Sequence, residues 1–83
     1  PKRRYNKKPE VKEMKWNESL KAIRKERKKT QKEIATELQV SQALVSAWEL
    51  GVNKPDIDNL FKLARYYQVS LDYLVSFTPK EKE

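Results

Sequence analysis

The residues of this chain that could do chemistry are amides, hydroxyls and charged groups, because the 83-residue sequence contains neither histidine nor cysteine. Without imidazoles it lacks the commonest general base and the commonest metal ligand. Without thiols it can form neither disulfides nor thiolate metal sites. No arrangement of a nucleophile with its base is recognisable in what remains. We therefore expect a binding protein, not an enzyme, with no metal and no cofactor.

Two glutamines, Gln31 and Gln42, lie eleven positions apart, each at the predicted start of a short helix. The side-chain amide of Gln42 offers one donor and one acceptor, which is the complement of adenine N7 and N6 in the major groove of DNA. Gln31 lies where free N–H groups and the positive end of a helix favour an anion. For either residue the alternative is a solvent-facing glutamine without a ligand.

The positive charge of the chain is concentrated before residue 30. The net charge is +7, and residues 1–29 carry 13 Lys and Arg against 4 Asp and Glu, whereas residues 30–83 carry 6 against 8. Such a block suits a polyanion, because neutralising phosphates releases counterions. A solvated tail is the alternative, and charge alone does not separate nucleic acid from an anionic membrane surface.

Residues 1–15 hold two prolines and few apolar side chains, which predicts a flexible basic arm. An arm of this kind can enter a DNA minor groove. The cations that would do so are Lys2, Arg3, Arg4, Lys7 and Lys8. A disordered tail without contacts is an equal alternative.

Five short helices are predicted to position these residues, and no alternating strand pattern competes with them. Each begins at a residue that suits an N-cap. The predicted caps are Asn17, Thr30, Ser41, Asp56 and Ser70. The first helix is expected to end near Lys28, and Gly51, the only glycine, follows the third helix, where a left-handed residue is needed.

The fourth predicted helix has an apolar face that we expect to point inward. Its members are Ile57, Leu60, Leu63, Ala64 and Tyr67. Trp16 and Trp48 are also expected in the core. The sequence therefore predicts an all-α, compact five-helix bundle over residues 16–77, followed by a disordered tail over residues 78–83.

The second and third predicted helices are joined by only Gln39, Val40 and the cap Ser41. Such a short link makes the helices cross steeply, so one can lie across a DNA backbone while the other enters a groove. The outward face of the third helix then lacks charge, although 37% of the chain is charged. An uncharged face suits a helix that fits a major groove about 12 Å wide. This face consists of Gln42, Ala43, Ser46 and Ala47.

From Leu20 to Leu74 the chain resembles the Cro/repressor-type (XRE-like) helix-turn-helix domains, the lambda-repressor-like fold of phage repressors and many small bacterial regulators. The resemblance rests on three segments in order, LKAIRKERKKTQKEIATELQVSQALVSAWELG, NKPDIDNLFKLA and VSLDYL. Gln39 departs from the glycine that the family often has in the turn, which predicts a helix-like or slightly strained turn. The scarcity of Arg and Lys on the third helix argues against strong guanine recognition.

The resemblance also implies roles for particular residues. Base contacts are implied for Gln42, Ala43, Ser46 and Ala47. Phosphate contacts are implied for Gln31, Asn53, Lys54 and Thr30. Structural roles are implied for Arg24 and Glu49, which match a pair that forms a buried salt bridge, and are expected for Trp48 and Gly51.

The function that the resemblance implies is that of a cytoplasmic transcriptional regulator, either a phage-type repressor or a small controller protein. Its partner would be a double-stranded, palindromic DNA operator, bound by a homodimer, with no membrane or small-molecule ligand. No apolar run approaches the roughly 20 residues that span a bilayer. The alternative is an antitoxin or another protein-interaction module of the same fold.

Overall fold

The computed structural model describes residues 15–79 of the chain, and this range contains five α-helices. Their bounds are α1 Trp16–Glu26, α2 Gln31–Leu38, α3 Gln42–Leu50, α4 Ile57–Tyr67 and α5 Leu71–Ser76. No strand occurs in this described range, and the predicted all-α, five-helix class is confirmed. The predicted basic arm lies outside the described residues except for Lys15, and so does most of the predicted tail.

Four of the five predicted N-caps are confirmed. The Thr30 hydroxyl accepts the Glu33 N–H at 3.0 Å, and the Glu33 carboxylate accepts the Thr30 N–H at 2.8 Å. Ser41, Asp56 and Ser70 each accept the N–H of the residue three positions later. These local bonds satisfy donors that the first helical turn leaves free, and they fix where α2 to α5 begin.

The prediction for the first helix was wrong at its start, because α1 begins one residue before Asn17. The helix ends at Glu26 with Arg27 as its C-cap, close to the predicted end near Lys28. The Glu18 carboxylate accepts the Lys15 N–H at 3.1 Å, so the helix starts without a side-chain acceptor at its cap position. The amide of Asn17 donates instead to the backbone oxygen of Glu49 at 3.1 Å, which ties α1 to the end of α3.

A single apolar core joins the helices: α3 packs on α1 and α2, and α5 packs on α1 and α4. The buried residues are Leu20, Ile23, Ile34, Ala35, Leu38, Val45, Trp48, Leu63, Ala64, Tyr67, Leu74 and Phe77. Trp48 is fully enclosed and Trp16 packs against the cluster while partly exposed. Burying one large apolar side chain contributes about 1.5–3 kcal/mol, so this cluster is what holds α3 in place.

The expected inward position of Ile57 is also wrong, because its side chain is 57% exposed. Ile57 shares a helical face with Phe61, four residues later, which is 46% exposed. The buried stripe of α4 starts further along the helix, and the residue buried at this end is Pro55, just before the cap. An apolar side chain in the first turn therefore does not indicate which side of the helix faces the core.

The turn between α2 and α3 contains a strained residue. Gln39 adopts a left-handed conformation with φ 61° and ψ 45°, which bears out the prediction of strain in this turn. The next N–H, from Val40, donates to the Ala35 oxygen at 2.9 Å and closes the helix end. A side chain bearing Cβ adopts this conformation at a cost of about 1–2 kcal/mol.

We expect Gln39→Gly to raise the free energy of unfolding by roughly 0.5–1 kcal/mol, because the relief of strain exceeds the extra chain entropy of glycine. Urea denaturation of both proteins measures the difference. Glu37→Gly is the matched control, since Glu37 lies inside α2 and is exposed. That substitution should lower stability by about 1 kcal/mol. Destabilisation of both variants would show that Gln39 is not strained.

Candidate nucleic-acid interface

The four residues predicted to face outward from α3 lie on the side of the helix away from the core. Gln42 and Ala43 are exposed, and Ser46 and Ala47, one turn later, are half-buried. On the opposite side Val45 and Trp48 are buried in the core. The four outward residues form one continuous uncharged strip, because positions separated by four share a helical face.

This strip begins at the helix end nearest the turn. Ser41 caps α3, and Gln42 is its first residue, so the Gln42 side chain projects from the first turn next to the link from α2. The only charged residue of α3 is Glu49, and it is buried. The outward face of α3 therefore presents no charged side chain of its own.

Glu49 forms the ion pair with Arg24 that was predicted. The Arg24 Nε lies 2.6 Å from Glu49 Oε2 and Nη2 lies 3.0 Å from Oε1, with side chains only 12% and 5% exposed. A further Arg24 nitrogen, Nη1, donates to the Lys29 backbone oxygen at 2.8 Å. The hydrogen bond to Glu49 raises the pKa of Arg24 further above its already basic value. The pair joins α1 to α3 across the core.

Gln31 has a partner that sequence reasoning missed. Its side-chain Nε2 donates to Glu49 Oε1 at 3.0 Å, so the start of α2 is tied to the last turn of α3. The residues are 18 positions apart, and no local pattern indicates the contact. The implied phosphate contact of Gln31 would use the one side-chain N–H that this bond leaves free, since the carbonyl oxygen of the amide can only accept.

The structure also limits which groups of Thr30 and Asn53 are available to contact a phosphate. The backbone N–H of Thr30 is occupied by the Glu33 carboxylate, which leaves its hydroxyl as the donor. The backbone N–H of Asn53 donates to the Ala47 oxygen at 3.3 Å. The side chains of Asn53 and Lys54 are exposed, so these side chains are the groups that a phosphate could meet.

Gly51 makes the loop after α3 possible. Its φ is +82°, and an added Cβ would lie 3.2 Å from the side-chain Cγ of Asn17. The N–H of Val52 then donates back to the Ala47 oxygen at 3.0 Å. A left-handed residue at this point turns the chain so that Asn53 and Lys54 follow α3 directly on the surface.

Residues 20–74 match the profile of the helix-turn-helix family, which is more than half of the chain. The chain belongs to this family. In sequence it is similar to an uncharacterized HTH-type transcriptional regulator of Bacillus subtilis, YqaE, at 37% identity over 67 residues. That match covers 81% of the chain but 58% of the relative, so the chain spans little more than half of the relative's length.

Two solved structures of the P22 c2 repressor are similar to this helix-turn-helix domain. The DNA-binding domain in solution has a TM-score of 0.73 and 27% identity, covering 88% of this chain and 96% of that one. The repressor in complex with a synthetic operator has a TM-score of 0.70 and 31% identity, covering 78% and 98%. The lambda-repressor-like fold expected from the sequence is therefore confirmed.

Within residues 15–79 the domain holds no group of three or more acidic side chains placed to bind a metal ion. None of the helices in that range has the length and apolar character to cross a membrane. The described surface offers hydrogen bonding from amides and hydroxyls, apolar contact, and charged groups of both signs.

Proposed function

We propose that this helix-turn-helix domain binds double-stranded DNA with sequence preference and serves a transcriptional regulator of the repressor or small-controller type. The observation that carries the proposal is the exposed, uncharged strip of α3 beside the short turn. A helix with a neutral outer face fits the major groove and can meet base edges. The similarity to a repressor that was solved in complex with a synthetic operator supports DNA binding by this domain.

In this arrangement Gln42 pairs with adenine through its amide, since it projects from the first turn of α3. Ala43 and Ala47 have only methyl groups to offer, which suits thymine methyls. The Ser46 hydroxyl can bond a base or a phosphate. α3 contains no Lys or Arg that could bind guanine. We therefore expect the domain to favour sites rich in A·T pairs.

Phosphate contacts flank the strip on both sides. Gln31 and Thr30 lie at the start of α2, where the helix dipole favours negative charge. Asn53 and Lys54 lie in the exposed loop after α3. Contacts of this kind fix the position of a protein on DNA and carry no direct sequence information.

We also propose that two copies bind together on a palindromic operator. α3 has nine residues and so is about 14 Å long, which limits one copy to a few base pairs. A homodimer doubles the sequence that is recognised, and protein symmetry then matches operator symmetry. Analytical ultracentrifugation with one operator duplex would give two copies per duplex if this is correct.

The test of the function is selection of bound sequences from random duplex DNA, followed by binding measurements at several salt concentrations. We expect a symmetric A·T-rich site, bound at least roughly a thousandfold more tightly than unrelated duplex. A protein-interaction module such as an antitoxin is the alternative, and Leu50 and Val52, each 71% exposed, are what favours it. Selection that yields no preferred sequence would support that alternative.

We expect the basic arm to increase the affinity for any duplex DNA more than it increases the preference for one sequence. Deleting residues 1–10 removes five cations, so we expect weaker binding to every duplex. Each lost phosphate contact should also reduce the slope of log affinity against log salt by about 0.9. A variant with the same ten residues in scrambled order is the control and should keep most of the slope. An unchanged slope after deletion would mean that the arm does not contact DNA.

A further inference from the structure

The carboxylate of Glu49 joins three helices. It belongs to the last turn of α3, it pairs with Arg24 of α1, and it accepts a hydrogen bond from Gln31 of α2. The Glu49 side chain is 5% exposed, so it is shielded from solvent on almost every side. The arrangement is more than a salt bridge between α1 and α3, because it reaches a residue on the proposed DNA surface.

The geometry leaves the carboxylate of Glu49 little freedom to turn. Oε2 accepts Nε of Arg24 at 2.6 Å, and Oε1 accepts both Nη2 of Arg24 and Nε2 of Gln31, each at 3.0 Å. Arg24 is held in turn by the Lys29 oxygen at 2.8 Å. A planar guanidinium and a planar carboxylate with two parallel bonds form a fixed unit. Gln31 is attached to that unit.

The Gln31 amide has two N–H groups on the same nitrogen, and one of them is used by Glu49. Within the described residues the second N–H makes no hydrogen bond, and the side chain is half-buried, not fully enclosed. An unrestrained glutamine loses rotamer freedom when it binds a ligand. Gln31 has already lost much of that freedom in the free protein.

We infer that Glu49 is a positioning residue for DNA binding, which acts by fixing the Gln31 amide so that its second N–H donates to a backbone phosphate. This inference rests on the proposed function. Because Glu49 is part of α3, the same bond sets the distance between the phosphate anchor and the helix that meets the bases. The core ion pair thus controls affinity for DNA as well as stability.

The test is a mutant cycle measured on the selected operator. Gln31→Met removes the amide and keeps the length of the side chain. Arg24→Met with Glu49→Leu replaces the ion pair by apolar side chains, which commonly keeps or raises stability. We expect Gln31→Met to weaken binding roughly tenfold, as for the loss of a hydrogen bond to a charged group.

The ion-pair replacement should weaken binding by about fivefold, and by less than about twofold when Gln31→Met is already present. Urea denaturation of each protein shows whether the fold is retained. The slope of log affinity against log salt concentration should stay unchanged in Gln31→Met, because the neutral amide that is lost does not displace a counterion from the DNA. Gln31→Lys should restore affinity and steepen the slope by about 0.9 for each bound copy, since an ammonium has donors for both partners.

A second measurement covers the case in which the ion-pair replacement does not fold. Side-chain amide exchange of Gln31 in the unaltered protein should show one slowed proton without DNA and two with DNA. Two fast protons in the free protein, or additive losses in the cycle, would overturn the inference while the protein still binds its operator. If the unaltered protein binds no duplex with preference, the proposed function itself fails.

Discussion

Glu49→Ala should lower the free energy of unfolding by about 3 kcal/mol, the largest stability loss we expect from any single substitution outside the apolar core. The substitution leaves the Arg24 guanidinium, whose side chain is 12% exposed, without its carboxylate. Arginine cannot shed its charge at neutral pH, so the cost cannot be avoided by a change of protonation. For a domain of this size the melting temperature should fall by roughly 12–24 °C. Calorimetry and urea denaturation measure both quantities.

The control for Glu49→Ala is the joint replacement Arg24→Met with Glu49→Leu. It removes the same salt bridge but leaves no unpaired charge, and it should be close to neutral or stabilising. Glu33→Ala is a second control, because Glu33 is an exposed acid whose loss should cost only about 1 kcal/mol through the cap. Equal losses in Glu49→Ala and in the joint replacement would mean that packing, not the stranded charge, explains the effect.

Local chemistry explains why most of the fold could be predicted from the sequence. The caps at Thr30, Ser41, Asp56 and Ser70 act within three residues, so the sequence contains all that is needed to place them. The positive φ of Gly51 is equally local, although the close approach of the Asn17 side chain to this glycine is not. The short link after α2 then determines that α3 must present one face outward.

The features that could not be predicted depend on contacts distant in sequence. Asn17 looks like a cap, yet its amide is engaged by the Glu49 backbone oxygen 32 positions away. Ile57 looks like core, but the packing of α4 leaves its side chain exposed. The bond from Gln31 to Glu49 depends on the crossing of α2 and α3, and periodicity carries no information about it.

Gln42→Ala should weaken binding to the best operator by roughly 1–3 kcal/mol per contact, about fivefold to 150-fold, and relax preference at one base pair per half-site. The side chain is exposed at the first turn of α3, so truncation leaves the core unchanged. The amide complements both polar groups, N6 and N7, on the major-groove edge of adenine. The loss should therefore be largest on the operator that keeps the A·T pair, and small on an operator in which that pair is already changed. Binding of the unaltered protein and of the Gln42→Ala variant to the operator and its single-pair substitutions measures this.

Gln31→Ala and Lys54→Ala are the matched controls, since both residues are proposed to contact phosphates and neither is proposed to contact a base. Each should weaken all duplexes about equally, and only Lys54→Ala should reduce the slope of log affinity against log salt, by about 0.9 for each bound copy. The three variants therefore separate base recognition, neutral phosphate contact and charged phosphate contact. If Gln42→Ala weakens every duplex evenly, then Gln42 contacts the backbone, and the adenine preference must come from another part of α3, with Ala43 and Ser46 the next residues to substitute.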